Sequence, residues 1–151
     1  MRAVVQRVRH AQVRVADEIV GRIGPGMLIL LGVLKGDDEA MAQRLAERIA
    51  HFRFFEDAQG RMNLSALQGV GPEPLGVLLV SQFTLAADGR KGRRPSFDQA
   101  EDPERARALI AHFAHRLESL GLAVEQGRFG AEMQVELCND GPVTFALQEG
   151  A

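Results

Sequence analysis

The sequence predicts an α+β protein, with a mostly antiparallel, barrel-like β core and two helices packed on one of its sides. Three observations carry that expectation. Valines recur in a partly alternating pattern between Ala3 and Val15. A continuous apolar run, Met27-Leu28-Ile29-Leu30-Leu31-Gly32-Val33, reads as a strand covered on both faces. Two later segments repeat apolar residues at helical spacing.

Val4, Val8, Val13 and Val15 place a first strand over Ala3 to Val15, and Asp17-Glu18 turns the chain into a returning strand from Ile19 to Ile23. Gly24-Pro25-Gly26 makes a second turn before the apolar run, which belongs in the middle of the sheet. Asp37 and Asp38 are placed to cap a helix, and Met41, Leu45, Ile49 and Phe52 give it an apolar stripe from about Glu39 to His51. Glu56 to Gly60 reads as a turn or loop. Gly69 to Gly76, with Pro72 and Pro74, is a connection rich in breakers. Val77 to Gln82 is a second buried strand, and Asp88 to Pro95 a long polar loop. Asp102 and Pro103 open a second helix as N-cap and first residue. Ala106, Leu109, Ile110, Phe113, Leu117 and Leu120 form its stripe, and Gly121 stops it. Ala123 to Glu125, Met133 to Cys138 and Val143 to Leu147 close the chain as strands. The order is about four strands, helix, strand, helix, three strands, without the regular βαβ repetition and glycine fingerprints of dinucleotide or P-loop folds.

The chain of 151 residues fits one domain, 1–151, with no internal repeat or linker. Met27 to Leu34 is under half the ~20 residues a membrane span needs, and Arg2 and Arg7 lead into alternating residues without a signal-like apolar segment. A cytoplasmic protein with no membrane partner is expected. One cysteine excludes an intrachain disulfide framework and a thiolate zinc site. A formal charge of −2 rules out a polybasic coat, so contact with phosphate must come from a local patch. Without Trp or Tyr, an aromatic platform for single-stranded bases is a weak expectation.

That patch is Arg90, Lys91, Arg93 and Arg94 around Gly92, four cations in five residues directly after a buried strand. An exposed loop of this kind concentrates charge at one mouth of the sheet and suits phosphate binding. Ser81, Gln82, Phe83 and Thr84 leave the same strand, where polar residues are fixed by the core yet face a ligand. Neither hydroxyl has a Gly-x-Ser-x-Gly elbow or an identifiable His/Asp partner, which argues against a conventional triad. Cys138 alternates with Met133, Val135 and Leu137 and reads as a packed thiol. His112 and His115, three apart on the second helix, lack a third ligand and read as a solvated face. His10 and His51 have no motif around them. Asn139-Asp140-Gly141-Pro142-Val143-Thr144 has, by pattern alone, the look of a hairpin turn.

Ser81-Gln82-Phe83-Thr84-Leu85 and Asn139-Asp140-Gly141-Pro142-Val143-Thr144 together resemble the two signature motifs of the D-aminoacyl-tRNA deacylases, also called D-tyrosyl-tRNA deacylases. Met1 to Val8, Gly24-Pro25-Gly26, Gly32-Val33, Phe55-Glu56-Asp57, Met62-Asn63-Leu64-Ser65, Gly92 with Arg94-Pro95-Ser96-Phe97, and Gly127 to Val135 resemble further family segments in order. The resemblance covers essentially the whole chain. Ala146 departs from it, since relatives often carry a bulky aromatic there.

The resemblance implies a homodimer acting on aminoacyl-tRNA, with no DNA partner, and with two sites at the interface, each completed by the partner's Gly-Pro motif. Gly141 and Pro142 then screen the α-carbon substituent, across a bond that is cis in the family. Ser81, Gln82, Phe83 and Thr84 hold the terminal adenosine and the reacting carbonyl, with backbone N–H groups as donors. The adenosine's 2′-hydroxyl assists hydrolysis, so no metal or other cofactor is expected. Such a site rejects L-amino acids by shape and leaves glycine unscreened. Ester hydrolysis puts negative charge on the carbonyl oxygen, which fixed backbone donors stabilise without an ionisable side chain. Two other readings stand beside this one. One is a tRNA-binding module without catalysis. The other is a related editing domain that removes a wrong L-amino acid, as on some threonyl-tRNA synthetases, or a sister deacylase with a trans Gly-Pro bond. Phe83 beside Thr84 and the intact Asn139 to Thr144 run favour the D-specific branch.

Overall fold

A computed structural model describes residues 1–69, 71 and 74–150 of the chain. Its first strand, β1 (Arg2–Val15), organises the sheet. One edge of β1 pairs antiparallel with β8 (Gln134–Gln148) along almost its whole length. The other edge is shared by β2 (Glu18–Ile23), opposite Ala11 to Val15, and β3 (Gly26–Gly32), opposite Arg2 to Val8. The sheet continues from β3 to β6 (Gly76–Ser81) and β7 (Ala123–Gln126), both pairings parallel. Parallel neighbours need a long crossover. Helix α1 (Glu39–His51) lies in the first crossover, and a 3₁₀ turn (Phe83–Ala86) with helix α2 (Pro103–Ser119) lies in the second. The result is the expected α+β architecture, a curled, mostly antiparallel sheet with both helices against one face.

The apolar run is central, as its composition requires. In β3, Met27, Ile29 and Leu31 face the helices, with Leu45, Ile49, Phe113 and Leu117 packed over them. Leu28 faces the opposite side, where Val13, Ile23, Leu78 and Val80 form a second core. At about 25 cal/mol per Å² of apolar surface, this two-sided burial is the main stabilising term.

Asp38 caps α1, its Oδ1 accepting from the Met41 N–H at 2.8 Å. Asp37, the other expected cap, does different work. It is buried, with Oδ1 2.6 Å from the Met1 ammonium and Oδ2 accepting from the Leu34 N–H at 2.7 Å, so it anchors the start of β1. Asp102 precedes Pro103 at the start of α2 without a side-chain cap bond, and Leu120 and Gly121 end the helix.

Three strand expectations need correction. The first third holds three strands instead of about four: the segments expected at Ala3 to Val15, Ile19 to Ile23 and Met27 to Val33 form β1, β2 and β3, and no fourth precedes α1 among the described residues. The turn at Glu56 to Gly60 closes a small hairpin of β4 (Phe55–Glu56) and β5 (Met62–Leu64), in which the Asp57 carboxylate accepts from the Gln59 and Arg61 N–H groups. The run Asn139 to Thr144 is not a hairpin turn, since the last two expected strands are one, β8. Gln6 pairs with Thr144 and Val8 with Asn139, leaving Asp140, Gly141, Pro142 and Val143 opposite Arg7 alone. The chain bulges outward and rejoins the ladder. Side chains on both strands hold the bulge: Asn139 Nδ2 donates to the Arg7 carbonyl at 2.9 Å and the Val143 carbonyl at 3.1 Å, while Arg7 Nε donates to the Asp140 carbonyl. Of the connection expected at Gly69 to Gly76, Val70, Pro72 and Glu73 lie outside the described residues, as does Ala151. No described helix is long and apolar enough to cross a membrane.

Candidate active site

At the end of β6 the sheet opens into a cleft of about 610 Å³, within the ~300–1,000 Å³ usual for small-ligand sites. Ser81, Gln82 and Phe83 form one wall, Phe97 and Glu101 a second, and Phe129, Gly130, Ala131 and Met133 a third. Val80 and Val135 supply apolar floor.

The first wall is held by main chain. Gln82 N–H donates to the Leu31 carbonyl at 2.8 Å, and Leu85 N–H to the Gln82 carbonyl at 3.1 Å, which turns the chain sharply as it leaves β6. Gly32 permits this turn, because a Cβ there would lie 2.8 Å from both the Gln82 carbonyl oxygen and Leu85 Cβ. The Gln82 amide donates to Thr84 Oγ1. Among the described residues the main-chain N–H groups of Phe83 and Thr84 have no acceptor, and no histidine or carboxylate contacts the Ser81 or Thr84 hydroxyl. Phe83 is 62% exposed and Phe97 38%, with ring centroids 5.1 Å apart at the cleft mouth. Glu101 is largely buried, its carboxylate accepting from the Asp102 N–H at 2.9 Å and pairing with Arg105 at 3.2 Å.

The basic loop follows at once. Its base is closed by reciprocal main-chain bonds between Asp88 and Ser96, at 2.8 and 2.9 Å. The four cations differ. Arg90 forks onto Asp88, with Nη2 to Oδ2 at 2.7 Å and Nε to Oδ1 at 2.9 Å. The Arg90 side chain, then its N–H, holds the Asp88 carboxyl down to about 2 and raises the guanidinium in turn. Lys91, Arg93 and Arg94 are exposed and meet no carboxylate among the described residues.

Gly141 and Pro142 do not line this cleft. They stand exposed on the bulge of β8, joined by a cis peptide bond. A Cβ on Gly141 would run into the Asn139 side chain and lie 2.8 Å from the Val143 nitrogen, so only glycine fits there. Ala146, the departure in the last strand, is exposed opposite Val4, while the neighbouring Phe145 ring packs on Phe52 at 4.9 Å. Cys138 is half-buried across the ladder from His10. His112 lies 3.0 Å from Glu39 and His115 4.0 Å from Glu118, both on the surface. No group of three or more His, Cys, Asp or Glu side chains is placed to hold a metal ion among the described residues. Sequence reasoning named one wall of the cleft and missed the other two. Phe97 and Phe129 to Met133 sit in segments with no chemical signature of their own, and only the fold brings them beside Ser81.

The family model and the sequence relatives agree with one another. Residues 4–148 match the family model described as D-Tyr-tRNA(Tyr) deacylase. A protein of Cronobacter sakazakii named D-aminoacyl-tRNA deacylase is 56% identical over 148 residues, which cover 98% of this chain and 99% of its own. One of the same name from Idiomarina loihiensis is also 56% identical over 148 residues, with the same coverage. Among solved structures, one named c-Myc DNA Unwinding Element Binding Protein superimposes with a TM-score of 0.89 at 37% identity over 100% of both chains. A probable eukaryotic D-amino acid tRNA deacylase superimposes with a TM-score of 0.81 at 19% identity over 97% of both, which concerns the fold alone. With a family match over nearly every residue and relatives above half identity, the chain belongs to the D-Tyr-tRNA(Tyr) deacylase family.

Proposed function

We propose that the protein is a hydrolase that cleaves the ester of D-aminoacyl-tRNA, releasing the free D-amino acid and tRNA. It acts as a cytoplasmic homodimer in which Gly141 and Pro142 of each protomer complete the cleft of the other. The observation that carries this reading is the separation of its two motifs. Ser81, Gln82 and Phe83 line a cleft, whereas Gly141 and Pro142 project from the bulge of β8 and do not reach it. Beyond β1, β8 has no strand partner among the described residues of its own chain, and a 15-residue edge is a surface that asks for cover. A second copy that covers it by symmetry carries both bulges into the interface.

In the completed site the terminal adenosine enters the cleft and the aminoacyl carbonyl lies beside Phe83 and Thr84. Their unclaimed N–H groups supply fixed donors for the developing oxyanion. Water, assisted by the 2′-hydroxyl of the adenosine, attacks the carbonyl carbon. The bond from that carbon to the ribose oxygen breaks, and the proton given up by water ends on that oxygen. No side chain has to ionise, and neither a metal nor another cofactor takes part.

Main chain at Gly141 and Pro142 excludes an L side chain by shape, and glycyl-tRNA, with two hydrogens on its α-carbon, is accepted. Rejecting the wrong hand ~1,000-fold needs ~4 kcal/mol, which a clash with unyielding backbone supplies. Lys91, Arg93 and Arg94 meet tRNA phosphates, and Arg90, already paired with Asp88, mainly braces the loop.

The test combines turnover with mass. A dimer that hydrolyses D-tyrosyl-tRNA and spares L-tyrosyl-tRNA is expected. A fully active monomer contradicts the shared site. Binding of tRNA or DNA without turnover favours the non-catalytic module, a reading that the DNA-element name of one structural neighbour keeps in view.

A further inference from the structure

Building on the deacylase reading, we propose that Phe97, backed by Phe83, stacks the base on the 5′ side of the substrate's terminal adenosine. Phenylalanine rings ordinarily fill cores, and here Phe54, Phe55 and Phe113 do so. Phe83 and Phe97 are the exposed ones among the described residues, and they touch each other at one place, the mouth of the cleft. Leaving two rings in water forgoes the stabilisation of burying them, and a paired apolar patch of this kind marks a binding surface.

The occupant follows from what surrounds the pair. Phe97 comes three residues after Arg94 and directly follows Ser96, whose main-chain bonds with Asp88 close the base of the basic loop. The tied loop thus carries three cations that meet no carboxylate among the described residues, and its closing residue leads straight into the exposed ring. A strip of positive charge beside an exposed aromatic face is what a single nucleic-acid strand needs, the charge for its backbone and the face for its bases. The rings are tilted by 57° instead of stacked on each other, and Phe97 keeps 38% of its surface exposed, area that a base can cover. With the terminal nucleoside inside the cleft, the next base of the strand lies at its mouth. A bare ring reads no donor or acceptor pattern, so the contact serves any tRNA with the common single-stranded 3′ end. It also modifies the expectation drawn from the absence of Trp and Tyr.

Stacking of one base on one aromatic side chain is worth about 5- to 150-fold in affinity. The probe is an RNA trinucleotide ending in adenosine, with 2-aminopurine as its middle base. Titration with the wild-type protein and the Phe97→Tyr variant quenches the fluorescence, and Phe97→Leu abolishes the quench. In kinetics, the ratio of kcat/KM for a D-tyrosyl trinucleotide over D-tyrosyl-adenosine falls about tenfold in Phe97→Leu and is kept in Phe97→Tyr. Equal quenching in wild type and Phe97→Leu, or an unchanged ratio, overturns the proposal. A wild-type protein that quenches the probe but leaves the D-tyrosyl ester intact sinks the deacylase reading and upholds the stack.

Discussion

Arg7 Nε donates to the main-chain carbonyl of Asp140 at 2.9 Å, from a side chain that is almost wholly buried. The same guanidinium donates through Nη1 to the Phe54 carbonyl at 2.9 Å and lies 3.4 Å from Glu56. One residue of β1 thus ties the β8 bulge to the start of the β4–β5 hairpin. Arg7→Met keeps the aliphatic stem and strands two carbonyls, each worth about 1–3 kcal/mol when left unpaired. Urea unfolding is expected to show a loss within the range of a few such groups. Turnover is expected to fall further than a matched core mutation of equal cost lowers it, because the bulge presents Gly141 and Pro142. An unaltered midpoint and rate contradict this role.

Thr84→Ala is expected to retain substantial turnover. The Thr84 hydroxyl is engaged by the Gln82 amide and has no base beside it among the described residues. A threonine that formed an acyl-enzyme would lose nearly all activity on this change. Single-turnover rates and mass spectrometry of quenched reactions distinguish the two.

How much of this was legible in the chain depends on how local the causes are. Met27 to Val33 announced a two-sided strand because burial on both faces leaves no polar alternation, and Asp38 announced a cap because the bond spans three residues. The bulge at Asn139 to Thr144 was misread by pattern because its cause is remote: Arg7 and the β1 ladder hold an Asn-Asp-Gly run that would reverse the chain if left alone. Asp37 looked like a second cap, and its counter-ion lies 36 residues away at Met1. In the site, Ser81 to Phe83 stood out by polarity after an apolar strand. Phe97 and Phe129 carry no such contrast, and they become part of a cleft only when α2 and β8 close over it.

Replacing Lys91 and Arg93 by alanine is expected to raise KM for tRNA and flatten its salt dependence by about 0.7 per lost phosphate contact. The D/L ratio should not move, because phosphate contacts position without selecting. Initial rates on both enantiomers across a salt series decide this, and a collapse of the ratio would put the loop inside the selective pocket.

The Asp88 carboxyl provides a pH signature for the loop. Its folded value, about 2, lies below the ordinary 3.8, chiefly through the side-chain bond to Arg90. Whatever the pair adds to loop order is therefore present above about 3.8 and is lost as pH falls through about 2. Carboxyl NMR titration should find that midpoint in the wild type and a return toward 3.8 in Arg90→Ala. A wild-type midpoint near 3.8 means the fork does not persist in solution.

The central claim is that main chain at Gly141 and Pro142 selects by shape, without reading the side chain. The direct measurement is hydrolysis of glycyl-, D-aspartyl-, D-tyrosyl- and L-tyrosyl-tRNA side by side under one set of conditions. Cleavage of the first three and sparing of the fourth is the predicted result. Strict preference for one D side chain, with glycyl-tRNA spared, would mean that a side-chain pocket supplies the selectivity and that the backbone account is wrong.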